Sequence, residues 1–327
     1  MPDLPRTPGG AAGQWRYCQR MRIGILAAET GGDRALGKLA DQLRRAADDG
    51  LASFWMSNIF GLDALTSLAV AGSQVQGIEL GTAVVPTYPR HPAVLAQQAL
   101  TTALAVGPGR LTLGIGLSHK IVIEDMYGYS FDRPARHMRE YLSVLLPLLD
   151  GTAVSVDGSA LSAHIGLSTP RTGRIPVLLA AMAPRMLHLA GAQTDGTALW
   201  MTGPATVRDY VVPAISAAAS AAGRPGPRVV CSLPVCVTSD PAAAKANAAQ
   251  DFAIYGQLPY YRAMLDREGA AWPGDVAIVG DEDAVAAQIL ALADAGVTDF
   301  VAAEFARGHD RARTRSLLKA VIAPAER

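Results

Sequence analysis

Short apolar runs alternate with amphipathic stretches along most of the chain. Residues 22–27 (RIGILA) have the unbroken apolar character of a buried strand, and 33–49 follow with helical spacing until Gly50 closes them. The unit then repeats as strand 51–56 with helix 63–73, strand 78–85 with helix 92–106, and strand 110–116 with helix 133–149. Pro92 stands in the first turn of the third helix, where its missing N–H costs nothing. A polar, glycine-rich segment at 151–173 breaks the rhythm and reads as a hairpin and loop inserted before the fifth strand. The alternation resumes with strand 175–181 and helix 184–191, strand 196–201 and helix 204–222, and strand 228–238 followed by a helical excursion at 241–268. A helix at 281–295, an eighth strand at 299–303 and a last helix at 311–323 complete the pattern.

Strands that are each followed by a helix predict an α/β fold, the (β/α)₈ TIM barrel. A doubly wound open sheet is the rival, but the first strand runs into AAETGGDRAL, which lacks the G-x-G-x-x-G turn of that fold. No solenoid-length repeat and no linker divides the chain, so 21–327 is expected to form one domain. Residues 1–20 are rich in Pro and Gly and carry no apolar segment. They read as a disordered extension and not as a signal peptide.

Composition narrows the function. Lys and Arg total 29 against 29 Asp and Glu, so no overall charge draws the chain to nucleic acid or to an anionic membrane. No run reaches the roughly 18–20 apolar residues of a membrane span. Cys18, Cys231 and Cys236 form no disulfide framework, and the CSLPVC spacing does not suit a metal knuckle. Cys231 and Cys236 are expected as buried thiols, and such sparse usage points to the cytoplasm. No H-E-x-x-H metal motif, G-x-S-x-G elbow or pair of catalytic carboxylates is visible, so no metal is expected and a hydrolase has no support.

In a barrel of this kind the chemistry sits at the C-terminal ends of the strands. Two neighbouring ends, AAMAPR at 180–185 and MTGP at 201–204, each open a helix at a proline. Free amides there form either an anion cradle, with Arg185 adding charge, or two ordinary helix starts. The third strand leads into VVPTYPRHP, a stiff segment that carries Tyr88, Arg90 and His91, with His91 expected to be structural. The fourth ends in GIGLSHK, where Ser118 and His119 are polar groups at the correct end. The charged run at 132–140 reads as a solvated helix face. Tyr255, Tyr260, Tyr261 and Trp272 fit a pocket wall, a subunit contact or core packing equally.

Six segments in order, GTAVVPTYPRHP, RLTLGIGLSHK, FDRPARHMREYL, IPVLLAAMAPRMLHLAG, DGTALWMTGP and AGVTDFVAAEF, resemble the luciferase-like oxidoreductases that use coenzyme F420. The resemblance implies a luciferase-like barrel, usually a homodimer, with the cofactor ring deep in its mouth and a cis peptide at Ala83–Val84 behind it. It implies cofactor contacts at Asn58 after the second strand, at Ala83, Val84 and Val85 on the third, and at Ser118 on the fourth. Phosphate contacts are implied at Ala180, Ala181, Met182, Ala183, Arg185 and Met186, and at Thr202 and Gly203. The deazaflavin's acidic tail would favour basic groups at the rim, with Lys120, Arg171, Arg174 and Arg185 as candidates.

The chain departs from the sugar-phosphate dehydrogenase branch of that family. SNIFG and GLSH stand where the branch carries a histidine and a glutamate, with Leu117 in the glutamate's place. Oxidising an alcohol needs a placed general base, and none is evident. Hydride transfer from reduced F420 to an activated C=C or C=N bond of a small molecule, of the kind found in secondary metabolism, asks less of the protein. Tyr88, His119 or a water would supply the proton. An FMN-dependent monooxygenase on the same barrel is the first alternative, and a non-catalytic flavin-binding protein the second.

Overall fold

Eight parallel strands close on themselves in the computed structural model, which describes residues 21–28 and 30–322. They are β1 (Arg22–Leu26), β2 (Ser53–Met56), β3 (Glu79–Thr82), β4 (Leu111–Gly116), β5 (Val177–Leu179), β6 (Gly196–Trp200), β7 (Arg228–Val237) and β8 (Asp299–Glu304). Each pairs with the next, and β8 returns to β1 through Arg22 opposite Asp299, which closes the ring. The expected extension at 1–20 and Cys18 lie outside the described residues. Helices α1 (Ala35–Asp48), α2 (Ala64–Gly72), α3 (Pro92–Val106), α4 (Pro134–Leu149) and α5 (Pro184–Gln193) follow β1 to β5 in turn. After β6 come a first turn at Pro204–Thr206, a π-helical turn at Val207–Val211 and α6 (Val212–Ala221). The excursion after β7 consists of α7 (Pro241–Asp251) and α8 (Pro259–Glu268), with α9 (Glu282–Asp294) before β8 and α10 (His309–Val321) after it.

Three local differences from the sequence expectation have physical causes. The third strand is not continuous. It ends at Thr82, passes through a cis peptide at Ala83–Val84, and resumes as Val85–Pro86 beside the end of β4. A Cβ on Gly114 would lie 1.9 Å from the Thr82 carbonyl oxygen, so only glycine admits this bulge. The Thr82 hydroxyl replaces the lost ladder, donating to Gly114 O at 2.8 Å and accepting from Gly114 N at 2.9 Å. The helix expected at 204–222 is interrupted because Pro213 has no N–H to continue an α-helical ladder, and the π turn precedes it. A short strand missed in the sequence, Ile278–Gly280, pairs with the upper end of β7 at Val235–Val237. The expected hairpin is present as Val154–Asp157 and Ser162–Ile165.

Two layers seal the barrel's lower interior. At the N-terminal end Arg228 bonds Glu79 at 3.0 Å and the 1% exposed Asp299 at 2.7 Å, and Arg22 reaches Glu79 at 2.5 Å. Burial works to raise the Glu79 carboxyl, but Arg228, the Thr112 hydroxyl and Arg22 outweigh it and hold it below its ordinary value. Above this plug lie Trp55, Leu178, Val230 and Val301, all buried. Trp55 needs the space of a missing side chain, since a Cβ on Gly81 would stand 2.2 Å from its ring. Its indole N–H donates to Ser53 Oγ at 2.8 Å.

Candidate active site

Toward the C-terminal end the interior opens. Leu26, Ala83 and Ala198 pack on the Trp55 layer yet are only half-buried. Ala180, Trp200 and Ala303 stand two residues further along their strands, in the same inward phase, and are half-buried as well. Small side chains and one tryptophan therefore floor a shallow apolar crater at the mouth. Its edge at β4 is kept flat by Gly116, whose Cβ would meet Val84 at 2.7 Å and Ala180 at 3.1 Å.

Aromatic residues from the excursion wall one side. Trp200 packs edge-on to Tyr255 with centroids 5.7 Å apart, Tyr255 packs on Tyr261 at 5.0 Å, and Tyr261 approaches the His119 ring at 5.7 Å. The row runs from the end of β6 across to the loop after β4. Tyr255 and Tyr261 also pack against the main hydrophobic core, whereas Tyr260 and Trp272 are exposed at 42% and 62%. Trp200 Nε1 is buried and bonds nothing among the described residues, leaving a donor at the crater's edge.

The two helix starts expected to cradle phosphate differ. At α5 no side chain caps the helix, Ala183 is the cap residue, and Arg185 is exposed. At Pro204 the seat is filled by the chain itself. Glu268 accepts from Ala205 N at 3.1 Å and from Thr206 N at 2.7 Å, and a Cβ on Gly203 would lie 2.3 Å from its carboxyl carbon. An internal carboxylate thus takes the place of an external anion there, and only the α5 start keeps open amides.

The family model described as luciferase-like monooxygenase matches residues 21–299. The chain belongs to this luciferase-like family. In barrel enzymes the chemistry sits at the C-terminal ends of the strands, the end where this mouth lies. Among its relatives is a 5,10-methylenetetrahydromethanopterin reductase of Methanolobus tindarius, 27% identical over 296 residues that cover 81% of this chain and 89% of that one. Two solved structures share the fold. An F420-dependent secondary alcohol dehydrogenase in complex with an F420-acetone adduct superposes with TM-score 0.78 at 19% identity, covering 93% of this chain and 99% of that one. The coenzyme F420 dependent tetrahydromethanopterin reductase of Methanopyrus kandleri gives 0.76 at 22%, covering 92% and 97%.

In this luciferase-like chain the expected site residues scatter more than the sequence suggested. Ala83, Val84, Ser118 and His119 reach the mouth half-buried, Ser118 with φ 61°. Asn58 instead spends its carbonyl on Ala64 N at 2.9 Å, which pins the loop after β2. The side chains of Val85, Ala181 and Met186 belong to the hydrophobic core, so any contact they make with a ligand is through backbone. Met182 O accepts from Tyr210 Oη at 2.9 Å, and the Thr202 hydroxyl is buried on Trp200 O at 3.2 Å. His91 caps α3 as expected. Of the rim cations, Arg171 pairs with Asp150 past the end of α4, and Arg174 with Asp195 just before β6. Both therefore lie at the N-terminal side of the barrel, because the chain has already run back along α4; Lys120 and Arg185 remain at the mouth.

The structure does not bring the two candidate proton donors together. His119 stands beside Tyr261, and burial lowers its imidazole below the ordinary 6.5, so the ring is neutral at pH 7. Tyr88 stacks instead on His137, with centroids 3.9 Å apart and planes 3° from parallel. Its hydroxyl is buried without a partner among the described residues and is pushed up to about 12, chiefly by burial. His137, read in the sequence as part of a solvated face, turns inward. Burial pushes it down to about 4, and Nε2 lies 3.1 Å from the Thr87 hydroxyl. The signal for it was its position one helical turn before Tyr141, on the edge of the apolar stripe of α4. Cys231 and Cys236 are buried thiols as expected.

Proposed function

We propose that this protein is an F420-dependent reductase that passes a hydride to an activated C=C or C=N bond of a small molecule. The carrying observation is the set of half-buried apolar side chains Leu26, Ala83, Ala180, Ala198 and Ala303 gathered at the C-terminal mouth, where an apolar ring system would lie. F420 in the names of its relatives and neighbours supports the deazaflavin over FMN. When bound, reduced deazaflavin supplies the hydride. The residues that would hold the cofactor are the Ala83–Val84 edge and Gly116 beside its ring, and the open amides at the start of α5 for a phosphate. The Tyr255–Tyr261 wall keeps water from the acceptor. A neutral His119 holds a ring N–H proton at the mouth, a weak acid suited to the atom of the double bond that gains the electron pair, the partner carbon or the nitrogen, when the other takes the hydride. Among the described residues, the floor and wall carry no carboxylate to act as the base an alcohol oxidation needs.

The test is anaerobic mixing of protein, reduced F420 and a panel of enones and imines, following the return of oxidised F420. Acceptor-dependent oxidation is expected, slowed in His119→Ala. Oxygen uptake with reduced FMN in its place would establish the second reading, which the monooxygenase description of the family favours. Binding without transfer to any acceptor would establish a non-catalytic flavin protein. The exposed Val70, Val94 and Leu104 on α2 and α3 offer an apolar face for the expected homodimer. No helix among the described residues is long and apolar enough to cross a membrane.

A further inference from the structure

A cavity of about 940 Å³ lies outside the crater, behind the loop that follows β3. The first half of α4 and the tip of the hairpin form its other walls. The loop is fixed by Thr87 N bonding Gly116 O at 2.9 Å. The hairpin tip is fixed by Glu140, which accepts from Ser159 Oγ at 3.1 Å and from Ala160 N at 2.7 Å. The walls are thus built rather than loose.

The lining holds three arginines, Arg90, Arg133 and Arg136, against one carboxylate, Asp132. Arg90 is tied to Asp63 and is neutralised. Arg133 and Arg136 pair with no carboxylate among the described residues, and the one bond of Arg136 goes to Ser159 Oγ at 2.9 Å. Arg133 is held in the left-handed region at φ 50°, ψ 53°, a conformation that a bulky residue keeps only where its surroundings enforce it. Tyr88 and His137 give a parallel aromatic wall, with Phe131 stacked behind at 5.4 Å. Tyr141 is 1% exposed, and neither its hydroxyl nor that of Tyr88 has a partner among the described residues. Burial raises both phenols, so each remains an O–H donor. Two guanidinium groups without a carboxylate partner, two unspent donors and a stack of aromatic rings call for a ligand rich in acceptors with an apolar part.

We propose that this cavity is a second binding site, for a small organic acid whose carboxylate or phosphate group sits on Arg133 and Arg136 and whose body lies against the Tyr88–His137 wall. The hydroxyls of Tyr88 and Tyr141 donate to its acceptor atoms. The acid is either a free metabolite or the acidic tail of the protein's own cofactor, and the same residues would hold both.

The experiment is calorimetric titration of the full chain with phthalate, phenyl phosphate, citrate and γ-glutamyl-glutamate, for the wild type and for Arg133→Gln, Arg136→Gln and Tyr141→Phe. At least one acid binds, and each arginine change weakens it by about tenfold or more, the scale of a lost charge-assisted bond. Arg136→Gln also frees the hairpin, so Tyr141→Phe is the cleaner variant: it removes only a hydroxyl that bonds nothing, leaves folding unharmed and still weakens the acid several-fold. A parallel F420 titration separates the sources. Weakening by the arginine changes assigns the cavity to the cofactor tail, and an unchanged F420 affinity assigns it to a free acid. Failure of all four acids to bind the wild type at millimolar concentration, or binding that ignores both Arg133→Gln and Tyr141→Phe, overturns the site.

Discussion

Replacing Glu268 with alanine separates a carboxylate that caps a helix from one that merely lies near it. Two backbone donors lose their acceptor, at 3.1 and 2.7 Å, on the first turn after Pro204. Loss of a helix N-cap costs about 0.5–2 kcal/mol, and hydrogen bonds to a charged group stand at the upper part of that scale. Glu268→Ala is therefore expected to lose about 1–2 kcal/mol in urea unfolding, and Glu268→Gln, which keeps a neutral acceptor, about half as much. The same change empties an anion seat at a helix end worth roughly half a positive charge. Inorganic phosphate should then restore part of the lost stability in the alanine variant, growing with the logarithm of its concentration, while adding less to the wild type. The F420 affinity of the variant should not fall, because the open amides lie at the start of α5. An alanine variant as stable as the wild type and indifferent to phosphate would refute the reasoning.

Other consequences follow from single contacts. His137 is neutral in the folded protein, with a value of about 4 against an ordinary 6.5. The unfolded chain takes up this proton first, so the stabilisation is complete above about pH 6.5 and is lost as pH falls toward 4. At about 1.4 kcal/mol per pH unit, and discounted for a half-buried ring, the loss is about 1–2 kcal/mol, read as a urea midpoint that falls less in His137→Phe than in the wild type. Gly114→Ala places a Cβ 1.9 Å from a backbone oxygen and should cost about 3 kcal/mol or more, or displace the bulge, in thermal unfolding. Ala198→Leu fills the crater floor at a half-buried position; it should keep the fold by circular dichroism and weaken F420 by about tenfold or more.

Much of the barrel is written in local pattern. Both ends of α3 agree with the sequence to the residue, since Pro92 and Gly107 mark them and the helix between is apolar on its buried side. The break in β3 left no such mark. IELGTAVV reads as one strand, and what interrupts it is a contact between Thr82 and Gly114, thirty-two residues apart. The cis bond at Ala83–Val84 came from family resemblance and not from pattern. Ile278–Gly280 was too short to announce itself as a strand.

The site was legible in outline only. The rule that strand ends carry chemistry selected His119, Ser118 and the α5 start, and these do reach the mouth. The family resemblance added Val85 and Met186, whose side chains the core absorbs, because a matched motif does not say which way each side chain faces. Charge alone suggests Arg171 and Arg174 as rim cations, although in a barrel the residues between helix 133–149 and the next strand fall at the N-terminal end, where they pair with Asp150 and Asp195. Nothing local could reveal Glu268 as the cap of a helix sixty-three residues earlier in the chain.

The central claim is that the crater holds a deazaflavin. Parallel fluorescence titrations of the purified protein with F420 and with FMN test it most directly. The account predicts saturable binding of F420 that is tighter than FMN by about tenfold or more and is weakened by Ala198→Leu. Tighter binding of FMN, or F420 binding unaffected by filling the crater floor, would contradict it.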